Sequence, residues 1–320
     1  MTLAHPFSNK WKKLLNTAIG GALLLTGCTA ADSKPNSAST KAAATTNDNS
    51  DPALWVVKDH DTTIYMFGTV HLLKPGLSWF DEAVKEAFDK SDTLVMEIAD
   101  VTDPEAMKAM EPLVKKYAAD ANGKKLRDKL TVEQRSIFDA EMTKLGMPAT
   151  TFDAYDPWFV STVLSMAHYG KAGMSPESGA EKVLAAAAKA SGKKMESLET
   201  AEQQFGWFDA TPESEQVTGL IEVITKGDEI ASYIDRMSTA WNKGDADGLA
   251  AVLNENIDHT PETRRLLLTD RNARWAEWVE KRLEQPGTVF MAVGAGHLAG
   301  KDSVQDFLAK RNVKVKRIQY

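Results

Sequence analysis

Cysteine is almost missing from this chain: Cys28 is the single one in 320 residues. A lone thiol closes no internal disulfide, so stability has to come from a packed core. Basic character is missing as well. The formal charge is −7, and no basic stripe with interleaved aromatics appears, which gives no support to nucleic-acid binding. The apolar run LLNTAIGGALLL near the start falls short of the roughly 20 residues of a membrane-spanning helix. Walker loops, His-Glu-x-x-His and Gly-x-Ser-x-Gly are absent, which removes the common NTPase, zincin and serine-hydrolase routes. What is present, 43% hydrophobic and 26% charged residues, is the composition of a soluble globular protein with one large domain or two small ones.

The first 27 residues have the grammar of an export signal. Lys10, Lys12 and Lys13 precede the short apolar run, which ends in Leu25-Thr26-Gly27-Cys28. That ending resembles a bacterial lipobox, which implies cleavage before Cys28 and acylation of its sulfur and new amino terminus. Loss of three lysines and no acid takes the charge from −7 to −10. Thr29 stands where an acidic residue would retain a lipoprotein in the inner membrane. The expectation is therefore an exported lipoprotein, held by its lipid to the outer membrane facing the periplasm, or to the cell surface. Residues 28–52, rich in Ser, Thr, Ala and Asn, read as a flexible tether.

Residues 53–320 read as strands mixed with long helices. LWVVK and TTIYMF are adjacent strands across a polar turn, and TLVMEI is a strand of the buried type. Helical spacing recurs at 79–90, 104–119 and 131–145, the last opening on a Thr131/Gln134 capping box. Asp156-Pro157 opens another helix, and Gly192 ends the one before the strand KMESLE. Helical patterns fill roughly 213–285, ahead of the strand TVFMAV, a helix at 302–311 and the closing strand VKVKRI. The pattern predicts an α/β fold: a mixed central sheet flanked by helices, with a long helical insertion or cap.

Four apolar strands end at or just before an ionisable residue: His71, Glu97, Glu199 and His297. If they run parallel, two imidazoles and one or two carboxylates meet at one sheet edge, where α/β proteins gather ligands. Two histidines and a carboxylate can hold a divalent transition metal with positions left open for water. Gly68, Gly294 and Gly296, in two copies of Gly-x-x-His, would let backbones approach closely there. Plainer accounts stand beside this one: a histidine after a strand is often a packing group, and Glu97 can pair with a surface lysine. GAGHLA also fits a loosened dinucleotide fingerprint, but no acid follows at the required distance, so a nicotinamide or flavin site is rejected. His60, His168 and His259 read as surface or packing residues, and Trp275 and Trp278 as packing on one helix.

FGTVHLL, VMEI, SLETAEQQ, LLTDRNARWAEWV and VFMAVGAGHLAG, in this order, resemble the TraB/GumN family, over roughly residues 53–320. The family includes bacterial lipoproteins and, more distantly, the Tiki metalloproteases, and its folds are related to erythromycin-esterase and ChaN-like ones. The resemblance implies a divalent-metal peptidase, with manganese or cobalt, and iron or zinc as further choices. It makes His71 and His297 the paired histidines and Glu97 the essential glutamate, as ligand or general base. It also places Glu199, Gln203 and Asn272 beside the substrate, and gives Arg271 a carboxylate or developing negative charge to hold. A solvated helix face is the equal alternative for Arg271. Two other functions stay open: a lipoprotein that binds metal, haem or peptide without catalysis, as the family's pheromone-shutdown members suggest, and a small-molecule esterase. The partners expected are the membrane, through the lipid, and a peptide or small-molecule ligand.

Overall fold

A computed structural model describes residues 50–99, 104–255 and 260–320. The signal segment, Cys28 and nearly all of the tether lie outside the described residues. Residues 50–52, ahead of the domain start that the sequence pattern suggests, are already packed. Ser50 is buried and donates its N–H to Ser78 O, Asp51 N–H bonds Asn242 O, and the Tyr320 hydroxyl reaches Pro52 O.

The chain runs β1 (Leu54–Lys58), β2 (Thr62–Thr69), α1 (Glu82–Lys90), β3 (Thr93–Met96), α2 (Pro104–Tyr117), α3 (Val132–Lys144), α4 (Pro157–Lys171) and α5 (Ala180–Ser191). It continues through β4 (Lys194–Ser197), α6 (Ala201–Asp209), α7 (Glu213–Thr225), α8 (Ile230–Asn242) and α9 (Ala246–Asn254). The last part is α10 (Pro261–Arg264), a π-helical turn at Arg265–Thr269, α11 (Asp270–Arg282), β5 (Gly287–Gly294), α12 (Val304–Lys310) and β6 (Val315–Ile318). The Thr131/Gln134 capping box forms, Pro157 opens α4, and Gly192 ends α5 in the left-handed conformation.

The six strands make one mixed sheet in the order β4-β3-β5-β2-β1-β6. β2, β5, β3 and β4 are mutually parallel, while β1 runs antiparallel to both β2 and β6. Central strands carry apolar residues on both faces because helices cover both. Phe67, Leu94, Met96 and Phe290 point into a core shared with α1, α5, α8 and α9. Their alternates Met66, Val95, Val289 and Met291 point into a second core with Trp275, Ala276 and Val279 of α11 and Leu308 of α12. The helical insertion has a core of its own, where Phe138, Phe159, Phe205 and Leu220 join α3, α4, α6 and α7.

Register fixes what meets at the carboxyl edge. Thr69 pairs with Gly294, and Met96 pairs with Ala292 on one side and Ser197 on the other. The residues that follow these strands therefore emerge side by side. The ladder even continues past β3 and β4, because Glu199 N–H bonds Glu97 O at 3.0 Å.

Candidate active site at the carboxyl edge of the sheet

Glu97, one residue beyond β3, is buried. Its Oε1 accepts the Gly294 N–H at 2.8 Å, and its Oε2 accepts from Arg271 Nη2 at 2.6 Å and Gln204 Nε2 at 3.0 Å. Burial alone pushes a carboxyl pKa up. Here the Arg271 guanidinium, the two imidazoles and the Gly294 N–H outweigh it and hold Glu97 well below the usual carboxylate range. Glu199 is buried next to it, gripped by Arg271 Nε and Nη2 and by Trp275 Nε1 at 2.9 Å.

Arg271 is the hub of this cluster rather than part of a solvated helix face. The π-helical turn ahead of α11 presents Leu267 O to its Nη1 at 2.9 Å, and His297 Nε2 lies 3.2 Å from the same nitrogen. With Glu97 and Glu199 on the other N–H groups, all five guanidinium donors are engaged inside the protein. No donor is left to clamp a substrate carboxylate, so that expectation for Arg271 is corrected. Its cation instead makes two buried carboxylates tolerable.

The two Gly-x-x-His histidines line one cavity of about 510 Å³, together with Glu97, Arg271, Gly294 and Gly296. They are held in different ways. His71 Nδ1 lies 2.6 Å from Glu181 Oε1, and about a quarter of the side chain (26%) stays open. Burial pushes its pKa down, but the Glu181 charge and contact prevail and raise it to about 9. The start of α5 is built onto this histidine. Ala180 N–H bonds Val70 O, and a Cβ on Gly179 would fall 2.1 Å from His71 O, so only glycine permits the approach. His297 is buried, with Nδ1 at 2.5 Å from Asn272 Oδ1. Asn272 Nδ2 donates to Asp302 O, which leaves its oxygen as the acceptor and assigns the proton to Nδ1. Burial and the adjacent guanidinium push the His297 pKa down to about 3, so its ring is neutral at pH 7.

Some residues singled out in the sequence stand behind the cavity. Gly68 packs against Ala295, where an added Cβ would lie 3.0 Å from Cα, and its carbonyl accepts from Trp241 Nε1 at 2.7 Å. Asn272 orients His297 from behind. Gln203 does not face the site; it closes the capping box of α6 with Thr200. Its neighbour Gln204 occupies the place expected of it, bridging Glu97 and Glu199. Glu181, Gln204 and the bonding role of Trp275 were missed, since all three sit in helices whose pattern reads as amphipathic packing. His60 lies exposed in the β1–β2 turn, and His168 is buried with Nε2 3.6 Å from Glu141 Oε1; His259 is outside the described residues.

The donor set does not fit a preformed metal centre on His71, His297 and Glu97. Their ligand atoms are not all within 4.8 Å of one another; among the described residues that spacing occurs at exposed Asp59, His60 and Asp61. A fixed guanidinium also stands 2.6 Å from Glu97 Oε2 and 3.2 Å from His297 Nε2, where a dication would be repelled.

These features, four parallel strands ending in two histidines and two glutamates, with both histidines and Glu97 lining one cavity, come with a family. The chain belongs to the TraB/PrgY/gumN family, whose model matches residues 53–317. It is similar to an uncharacterized protein of Treponema pallidum (strain Nichols), 22% identical over 273 residues that cover 81% of this chain and 80% of that protein. It is also similar to the uncharacterized protein YbaP of Escherichia coli (strain K12), 23% identical over 262 residues, 80% of this chain and 92% of that protein. No solved structure matches the chain significantly. Among the described residues no helix is long and apolar enough to cross a membrane.

Proposed function

We propose that this chain is a hydrolase of carboxylic acid derivatives, exported and held to a membrane through acylated Cys28. The observation that supports it is the open imidazole of His71, held by a buried carboxylate and facing a cavity at the edge where α/β enzymes react. The raised pKa keeps the ring protonated at neutral pH. As pH rises through about 9 the neutral form grows, takes a proton from a water attacking a carbonyl and returns it to the departing group, so turnover should climb with pH. Glu181 fixes the ring and stabilises the imidazolium between those two transfers. Glu97 and Arg271 set the field around the reacting carbonyl, and His297 completes the wall.

The peptidase that depends on manganese, cobalt, iron or zinc is a finer version of this reading. It requires Arg271 to withdraw from Glu97 and His297, and no step is assigned to it. The test is turnover of a panel of carboxylic esters and peptide amides by wild type, His71→Ala and Glu97→Gln, each with chelator and with added metal. Hydrolysis that survives chelator and is lost in His71→Ala is the expected result. Turnover that appears only with metal restores the metallopeptidase. Equal, background rates in all three proteins remove the hydrolase and favour a binding lipoprotein, a second reading that the cavity's apolar wall supports.

A further inference from the structure

The polar groups at the sheet edge are largely spent on one another. Arg271 uses every N–H, Glu97 accepts three hydrogen bonds, and His297 has Asn272 at one nitrogen and Arg271 at the other. Two groups on the β2 side are not spent. The His71 ring has Nδ1 on Glu181, which leaves Nε2 as its open edge, and Thr69, 98% buried on the same floor, has a hydroxyl with no partner. Both offer an N–H or O–H to an oxygen acceptor.

The opposite wall has a different character. Met174, Phe208, Met237, Leu249, Leu253 and Leu268 turn apolar side chains into the cavity from the helical cover. Ser161 and Ser165 bring hydroxyls on the α4 side. A peptide threaded along the apolar wall would bury an N–H and a C=O at each residue with only the few α4 hydroxyls near to bond them, at a cost for each left unpaired. A chain with one polar end meets no such cost.

We propose that the cavity is an acyl site: it takes a carboxylic acid, or its ester, with the oxygens at Thr69 and His71 and an unbranched apolar chain against the Met237–Leu253 wall. The ester form rests on the hydrolase reading above, and the acid form stands without it.

Calorimetric titration of the purified full chain with straight-chain acids from butanoic to decanoic, and with the matching alcohols and amines, tests this directly. Acids are expected to gain about fourfold in affinity per added methylene, the transfer value for a buried CH₂. Alcohols and amines of equal length are expected to bind about tenfold more weakly, since they lack the charged acceptor. Replacing the pair together, as His71→Leu with Glu181→Leu, avoids stranding a buried charge and should bring the acids down to the alcohols. Leu253→Glu should weaken decanoic acid far more than butanoic acid. Acids no better than alcohols or amines, affinity independent of chain length, or an apolar tripeptide amide bound in preference to every acid would each overturn the acyl site. Acid binding without ester turnover would keep it and remove the hydrolase; peptide turnover by a chain that binds no acid would do the reverse.

Discussion

His71 and His297 follow the same stretch of sequence grammar, an apolar parallel strand and then Gly-x-x-His, and they end in opposite electrical states. The difference lies in what each Nδ1 meets. A buried carboxylate, Glu181, sits at 2.6 Å from His71, and the ring's pKa rises to about 9. The amide oxygen of Asn272 sits at 2.5 Å from His297, with a guanidinium on the far nitrogen, and that pKa falls to about 3. At pH 7 one ring is a cation with an open edge and the other a neutral wall. Equivalent motifs therefore do not imply equivalent ligands, and a symmetric role for the two histidines is the weakest inference the repeat invites.

The strongest way to break this comparison is to remove the cation that sets it. Arg271→Met strands Glu97 and Glu199 in the core without their counter-charge. Losing one partner of a buried ion pair costs about 3–5 kcal/mol, so urea unfolding should show a loss of that size. Arg271→Lys should recover little, because one ammonium cannot replace five donors fixed in a plane. A loss below about 1 kcal/mol in Arg271→Met would show that the two carboxylates do not depend on this cation.

Exchanging the orienting groups is the next largest step. Glu181→Gln should bring the His71 pKa from about 9 down toward the ordinary histidine value, while Asn272→Asp should lift His297 from about 3. Imidazole resonances followed through a pH titration report both directly. If His71 keeps its raised value without the carboxylate, Glu181 is not the cause. The two histidines also give stability opposite slopes. For His71, raised on folding, the contribution is complete below about 6.5 and is lost as pH climbs through about 9. For His297, depressed on folding, stability is complete above about 6.5 and is lost as pH falls toward about 3. Glu181→Gln should therefore flatten melting temperature against pH on the alkaline side and leave the acid side unchanged.

How much of this the sequence carried depends on distance along the chain. The strands, the parallel edge and the gathering of His71, Glu97, Glu199 and His297 were legible, because period, apolar runs and strand ends are local signals. The partners of the two histidines were not. Glu181 stands 110 positions after His71 and looks like an acid in the first turn of an amphipathic helix. Only the packing of α5 on the β2 loop makes it a partner. Gln203 and Gln204 show the same limit at one residue's resolution. The motif SLETAEQQ offers two glutamines, and the capping geometry of Thr200 takes the first and leaves the second for the site.

The glycines sharpen the comparison with the smallest effects. In the first unit Gly68 touches backbone, Ala295 Cα at 3.0 Å from a built Cβ, and backbone yields poorly. Gly68→Ala should cost about 1–3 kcal/mol, the usual range for overpacking a tight core. In the second unit a Cβ on Gly294 would lie 3.2 Å from Glu97 Oε1, at the end of a side chain. Gly294→Ala should cost less in stability and act instead on Glu97, stretching the N–H contact that helps keep it ionised. Gly296 faces Leu253 at an ordinary 3.4 Å, has no positive φ, and Gly296→Ala should stay within about 0.5 kcal/mol of wild type. Thermal melts of the three variants would rank them. Should Gly296→Ala prove the costliest, the loop before His297 would be carrying strain that its contacts do not account for, and the two units would differ in backbone as well as in partner.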